Sequence, residues 1–166
     1  GDYWWLKQLG VEVQRGDIAD AEAVSRACIG IDTIYHTPAV AGIWGPWRTY
    51  YRTNTLGTRH LLDAAVLHGV RRFIHTSSPS VVFDGTDHLD ASNDLPYPVS
   101  YLCEYPRTKA LAEQLVLAAN GRWGLATCAL RPHLIFGADD PHLIPRLIAR
   151  ARAGKLMRIG ERRNRV

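Results

Sequence analysis

The sequence predicts an α/β domain in which a parallel sheet is covered by helices on both faces. Three observations predict it. Short apolar stretches alternate along the chain with segments whose apolar residues recur at helical spacing. The stretches that read as strands are apolar, as strands buried inside such a sheet are. Polar residues able to do chemistry directly follow two of them, Thr76-Ser77-Ser78 and Arg131-Pro132. Ligands bind beyond the carboxyl ends of strands in sheets of this kind.

Residues 11–15 read as a first strand, punctuated by Gly16 and Asp17. Residues 21–28 read as a helix with Asp20 at its N-cap. A second strand spans 31–35 and is followed by a loop rich in Gly, Pro and Trp. Leu56, Leu61, Leu62, Ala65 and Val66 make a helix of 49–68, which Gly69 closes. Residues 72–75 are a third strand, and 84–100 are a long loop rich in Asp, Gly, Ser and Pro. A loop of that length inside a domain is usually functional or mobile. Pro106 suits the first turn of the next helix, where its missing N–H costs nothing. That helix carries Leu111, Leu115, Val116 and Ala118 toward Asn120-Gly121. A fourth strand covers 125–130, and Pro141 opens a last helix with Leu143, Ile144, Leu147 and Ile148 on one face.

With 166 residues, 46% hydrophobic and 22% charged, the chain is expected to be one domain with a real core. It has no apolar run of membrane-spanning length and no signal-peptide pattern, so no membrane span and a cytoplasmic location are expected. Cys28, Cys103 and Cys128 make no metal spacing and read as reduced, mostly buried thiols. The seven histidines include no i,i+4 pair and no cysteine partner, so no metal site is expected. Net charge is +4, with Arg150, Arg152, Lys155, Arg158, Arg162, Arg163 and Arg165 crowded at the end. No aromatic residue is interleaved there to stack on bases, so this is read as a solvated helix face and tail, with no nucleic-acid partner.

Tyr105 and Lys109 stand four residues apart at the start of a helix, so both project from one face. An ammonium beside a phenol favours the phenolate and brings its pKa toward the working range. With seven tyrosines and three lysines in the chain the spacing also arises by accident, and its surroundings decide its meaning.

Those surroundings are Gly16-Asp17-Ile18; His36-Thr37-Pro38-Ala39; Asn54-Thr55-Leu56-Gly57-Thr58; Phe73-Ile74-His75-Thr76-Ser77-Ser78; Tyr105-Pro106-Arg107-Thr108-Lys109; and Leu130-Arg131-Pro132 running on to Gly137. In this order, over nearly the whole chain, they resemble an extended short-chain dehydrogenase/reductase of the NAD-dependent epimerase/dehydratase superfamily, in its 3β-hydroxysteroid dehydrogenase-like branch. Ala41-Gly42-Ile43-Trp44-Gly45-Pro46-Trp47 and the stretch Ser78 through Gly85 look like bacterial 2-alkyl-3-oxoalkanoate reductases.

The resemblance implies a Rossmann-like doubly wound parallel sheet and NAD or NADP as cofactor. It implies Tyr105 as acid/base, Lys109 as the residue that lowers its pKa and bonds the nicotinamide ribose, and Ser78 as holder of the substrate oxygen. It places Asp17 and Ile18 against adenine. Thr37, Pro38 and Ala39 would pass the phosphates and ribose, Asn54 would support the nearby strand and the cofactor, and the backbone after Pro132 would approach the nicotinamide amide. Read without the resemblance, Asp17 is a turn residue, Ser77 and Ser78 are strand-end hydroxyls, and Trp44 and Trp47 pack in core or loop. Homodimers of the family often form through the helices corresponding here to 49–68 and 105–120.

Two departures follow from the same comparison. No GxxGxxG occurs, so the expectation is a partial NAD(P)-binding Rossmann-like domain over 1–166, lacking its N-terminal βαβ unit and the end of the substrate-binding region, with no second complete domain. An exposed apolar edge is then expected beside 11–13 and 31–35, with Trp4 and Trp5 as candidates to cover part of it. Pro38 stands where alanine-like residues are usual, and it fixes φ and removes a donor. The implied function is an NAD(P)-dependent oxidoreductase interconverting a secondary alcohol and a ketone. Trp44, Trp47 and Phe83 favour a lipid-like or steroid-like small molecule as substrate. A sugar-nucleotide epimerase or dehydratase, and a catalytically inactive fragment, are the alternatives.

Overall fold

A computed structural model describes residues 4–42, 44–137 and 143–157, with the side chains of Trp4 and Trp5 outside the described set. Three of the four expected strands form. β1 (Thr33–His36), β2 (Arg72–Thr76) and β3 (Ala126–Leu130) make a parallel sheet in the order β1-β2-β3. Its register aligns Ile34 with Phe73 and Thr127, and His36 with His75 and Ala129. Successive side chains point to opposite faces, so these two rows share a face and Tyr35, Ile74 and Cys128 share the other.

The helices are α1 (Trp4–Gln8), α2 (Ala21–Ala27), α3 (Trp47–Tyr50), α4 (Gly57–Leu67), α5 (Glu104–Ala118) and α6 (Leu143–Arg152). Asp20 caps α2 by accepting from the amides of Glu22 and Ala23. The expected single helix of 49–68 begins two residues earlier and is not uniform: a π-helical stretch, Tyr51–Leu56, lies between α3 and α4. Gly69, at φ 69°, follows α4 in the left-handed region that favours glycine. Pro141 lies outside the described residues, as do Arg158, Arg162, Arg163 and Arg165.

The main core joins Leu62 and Ala65 of α4, Phe73 of β2, Val116 of α5, Val70 and Leu125. Val24 and Cys28 pack on Ala64 as a second cluster, and Val81 and Val82 pack on Ala110 of α5 as a third. Among the described residues α4 and α5 thus cover the Ile34–Phe73 face. Tyr35, 74% exposed, and Cys128 leave the other face accessible. Of the three thiols, Cys28 is buried, Cys103 half-buried and Cys128 exposed, so the expected burial holds for one.

Residues 11–15 run without a ladder partner among the described residues, and no strand forms there. Apolar side chains are not enough for a strand, whose stability comes from pairing. Val11, Ile31 and Tyr35 are exposed, while Val13 and Ile34 are half-buried.

The chain divides into two units, residues 1–131 and 132–166. The second contains α6 and begins at the half-buried Pro132. No helix among the described residues is long and apolar enough to cross a membrane.

Candidate functional site

Packing at the carboxyl ends of β1 and β2 brings most of the expected residues together. Lys109 reaches there from α5. It is 2% exposed, and its Nζ donates to the carbonyl of Thr76 at 2.6 Å and approaches His75 Nε2 at 3.4 Å. Burial disfavours the ammonium and pushes its pKa down to about 8, against a smaller upward pull from Glu113. Tyr105, one turn earlier on α5, is half-buried. Ser78 stands two residues beyond Thr76 and caps a 3₁₀ turn (Pro79–Val82), with its Oγ 2.8 Å from Ser80 Oγ.

The start of α5 is clamped on the π-helical stretch. Asn54 is 1% exposed and holds Val40 from both sides: its Oδ1 accepts from the amide at 2.8 Å and its Nδ2 donates to the carbonyl at 3.1 Å. The same Nδ2 donates to Thr108 Oγ1 at 3.1 Å, and Thr55 Oγ1 donates to the Thr108 carbonyl at 2.9 Å. Thr108 Oγ1 in turn shares its proton between the carbonyls of Glu104 at 2.9 Å and Tyr105 at 3.0 Å. Asn54 therefore ties the segment after β1 to the turn that carries Tyr105. An inserted residue in a helix often marks a functional position, and here it lets one amide reach both neighbours.

Asp17, Ile18 and Pro38 line one groove of about 290 Å³, together with Gly16, Tyr35 and His36. Asp17 Oδ1 accepts from the Ala19 amide at 2.9 Å and Oδ2 from Arg52 at 2.6 Å. Gly57 lets this turn sit directly on the helix, since a Cβ there would meet Ile18 Cγ2 at 2.8 Å. Ala39 is exposed beside Val40, and Pro132 belongs to the second unit. Trp44 is 91% exposed rather than packed, while Trp47 stacks on Tyr51 at 5.1 Å under the guanidinium of Arg107. A larger cavity of about 450 Å³ between the loop residues 97–103 and α5 is lined by none of the expected site residues.

Sequence reasoning missed Glu113, Arg131's partner. Glu113 is 1% exposed, and both its oxygens accept from Arg131, Oε1 at 2.5 Å from Nη2 and Oε2 at 3.2 Å from Nε. Its Oε1 also accepts from Tyr97 at 2.7 Å, and Arg131 donates to the carbonyl of Asn93 at 3.2 Å. Burial raises the pKa of Glu113, but the bonds from Arg131 and Tyr97 outweigh it and hold the carboxyl below its usual range. The pair pins the end of the long loop to α5 and β3. A signal existed: Tyr105, Lys109 and Glu113 recur every four residues, so a carboxylate shares the face that buries Lys109.

Comparison with known proteins gives the family and the fold. The model of the 3-beta hydroxysteroid dehydrogenase/isomerase family matches residues 4–166. A 2-alkyl-3-oxoalkanoate reductase of Stenotrophomonas maltophilia is 43% identical over 163 residues, 97% of this chain and 49% of the reductase. A 3beta-hydroxysteroid-dehydrogenase/decarboxylase isoform 2 of Arabidopsis thaliana is 42% identical over 151 residues, 90% of this chain and 27% of that protein. The solved structure of a dTDP-glucose 4,6-dehydratase double mutant from Streptomyces venezuelae with NAD bound matches with a TM-score of 0.75 at 25% identity, covering 93% of this chain and 50% of that one. The fold is thus Rossmann-like, and the chain spans about half the length, 49%, of the matched reductase.

Proposed function

The chain belongs to the 3-beta hydroxysteroid dehydrogenase/isomerase family, and we propose that the protein is an NAD(P)-dependent oxidoreductase interconverting a secondary alcohol and a ketone on a lipid-like or 3β-hydroxysteroid-like small molecule. The observation that carries this reading is Lys109: a buried ammonium, one turn after Tyr105, held at a strand end by the carbonyl of Thr76.

The residues fit both ends of a dinucleotide. Asp17 spends one bond on each carboxylate oxygen and keeps lone pairs for an amine, beside the apolar Ile18 and Pro38 of the groove. Lys109 has three donors, of which Thr76 and His75 take two, leaving one for a ribose hydroxyl or for Tyr105. No GxxGxxG occurs in the sequence to cradle a pyrophosphate. Ala39 would pass the ribose, and Asn54 would hold the segment that lines it. When bound, a nicotinamide supplies the hydride acceptor or donor for the carbinol carbon.

The chain's own residues then handle the oxygen. Tyr105 takes the hydroxyl proton when the alcohol is oxidised and returns it when the ketone is reduced. Ser78 donates a hydrogen bond to the same oxygen, its hydroxyl directed by Ser80.

The test is turnover of a 3-hydroxysteroid and of a 2-alkyl-3-oxoalkanoate with NAD(H) and NADP(H). Tyr105→Phe is expected to lose most of the rate, by a factor of about 100 or more, with an unchanged melting temperature. Near-normal rates in the variant would sink the assignment. Product analysis with a nucleotide sugar separates this reading from an epimerase or dehydratase, which would use the same tyrosine, lysine and serine.

A further inference from the structure

We propose that His75 is a positioning residue for Lys109, and that His36 and His75 are held as neutral rings in opposite tautomers so that the lysine keeps a charge no carboxylate pairs with directly.

The tautomers follow from the donors available. Thr58 Oγ1 donates its one proton to the carbonyl of Asn54 at 2.7 Å. Its 2.8 Å contact with His36 Nε2 must therefore be donated by the ring. His36 carries its proton on Nε2, and its Nδ1 is a bare acceptor. Lys109 can only donate, so its 3.4 Å contact makes His75 Nε2 the acceptor. His75 then carries its proton on Nδ1. Neither Nδ1 has a partner among the described residues.

The two rings lie 5.0 Å apart on the helix-covered face of the sheet, 2% and 0% exposed. A proton added to either would place a second buried positive charge beside Lys109. Burial first, and the lysine second, push the two pKa values down to about 4 for His36 and about 2 for His75. The titratable groups that act on the ammonium are His36 from β1, His75 from β2 and Glu113 from α5, with Tyr105 one turn earlier on the same helix. Glu113 is the obvious counter-ion, but both its oxygens are taken by Arg131. Lys109 makes no ion pair among the described residues. A neutral acceptor at position 75 thus orients the ammonium without quenching it, and its third donor and its charge stay available to the site. Only the consequence for turnover rests on the proposed oxidoreductase activity; the tautomers and the lysine titration do not.

The test is long-range proton–nitrogen correlation of the histidine side chains in the ¹⁵N-labelled chain from pH 5 to 9, with carbon-detected titration of Lys109. The expected result is two rings neutral throughout, one protonated on Nδ1 (His75) and one on Nε2 (His36). A ring of the pair that titrates in this range, or two matching tautomers, overturns the proposal. His75→Gln retains a neutral acceptor and is expected to leave the Lys109 midpoint within a few tenths of a unit. His75→Asp supplies a counter-ion and is expected to tighten the lysine proton about tenfold or more, a shift of about one unit upward. An unmoved midpoint overturns it. If the aspartate variant does not fold, His75→Phe keeps the ring and removes the acceptor, and the midpoint must fall; an unchanged midpoint there also overturns it. Should the protein oxidise no alcohol, these readouts still decide the proposal.

Discussion

Lys109 Nζ lies 2.6 Å from the carbonyl oxygen of Thr76, so a helix is joined to the end of a strand through a buried charge. Burying that charge has a cost with a definite pH dependence. The folded pKa, about 8, is below the ordinary 10.5. Between these values the unfolded chain binds a proton that the folded chain does not, so stability rises with pH. Over the full window the effect is about 3 kcal/mol. Unfolding by denaturant at pH 8 and pH 10 is expected to show this rise relative to Lys109→Met, which lacks the group. Equal pH dependence in the two proteins would contradict it.

The histidine pair acts on the acid side. His36 and His75 have folded pKa values of about 4 and about 2, below the ordinary 6.5. Their stabilising neutrality is complete above about pH 6.5 and is lost as pH falls toward the folded values, because the unfolded chain gains protons first. With both groups contributing, the slope reaches roughly 2–3 kcal/mol per pH unit. His75→Phe is expected to remove about half of it in denaturation curves between pH 6 and pH 4.5.

Glu113→Gln leaves the Arg131 guanidinium without its charge partner in a half-buried place. The expected loss is about 3 kcal/mol, read from urea midpoints. Tyr97→Phe removes one hydrogen bond and is expected to cost about 1 kcal/mol. Because Arg131 also holds the Asn93 carbonyl, the glutamine variant should be cleaved faster by proteases within residues 84–100.

Gly57 has ordinary helical dihedrals, φ −59°, so its need is for space. Gly57→Ala brings a methyl to 2.8 Å from Ile18 Cγ2. The expected destabilisation is about 1–3 kcal/mol, against the helix-propensity gain of an alanine. Ile18→Ala in the same chain should recover part of it. Additive effects of the two substitutions in melting experiments would refute the close approach.

Much of the scaffold was legible in the residues. The expected strands at 31–35, 72–75 and 125–130 form within two residues of where their apolar runs place them, and Asp20, Gly69 and Pro106 punctuate the helices as their backbone chemistry requires. The residues 11–15 misled because a strand needs a neighbour, which no local property supplies. The π-helical stretch was invisible for a related reason: an extra residue in one turn is selected by Asn54 reaching Val40 and Thr108, the latter 54 positions away.

The sequence by itself determined the alternation that makes a parallel sheet, and the four-residue spacing that puts Tyr105 and Lys109 on one helix face. Local spacing is sufficient for both, because helix and strand periods are properties of the backbone. Tertiary structure alone decided that Lys109 is held by Thr76 and His75, that Glu113 turns to Arg131, and that Asp17 and Pro38 share a groove. Those partners are 18 to 34 positions apart along the chain in the hydrogen-bonded cases. Only burial of the helices against the sheet brings them within reach, and burial also sets how strongly each charge is felt.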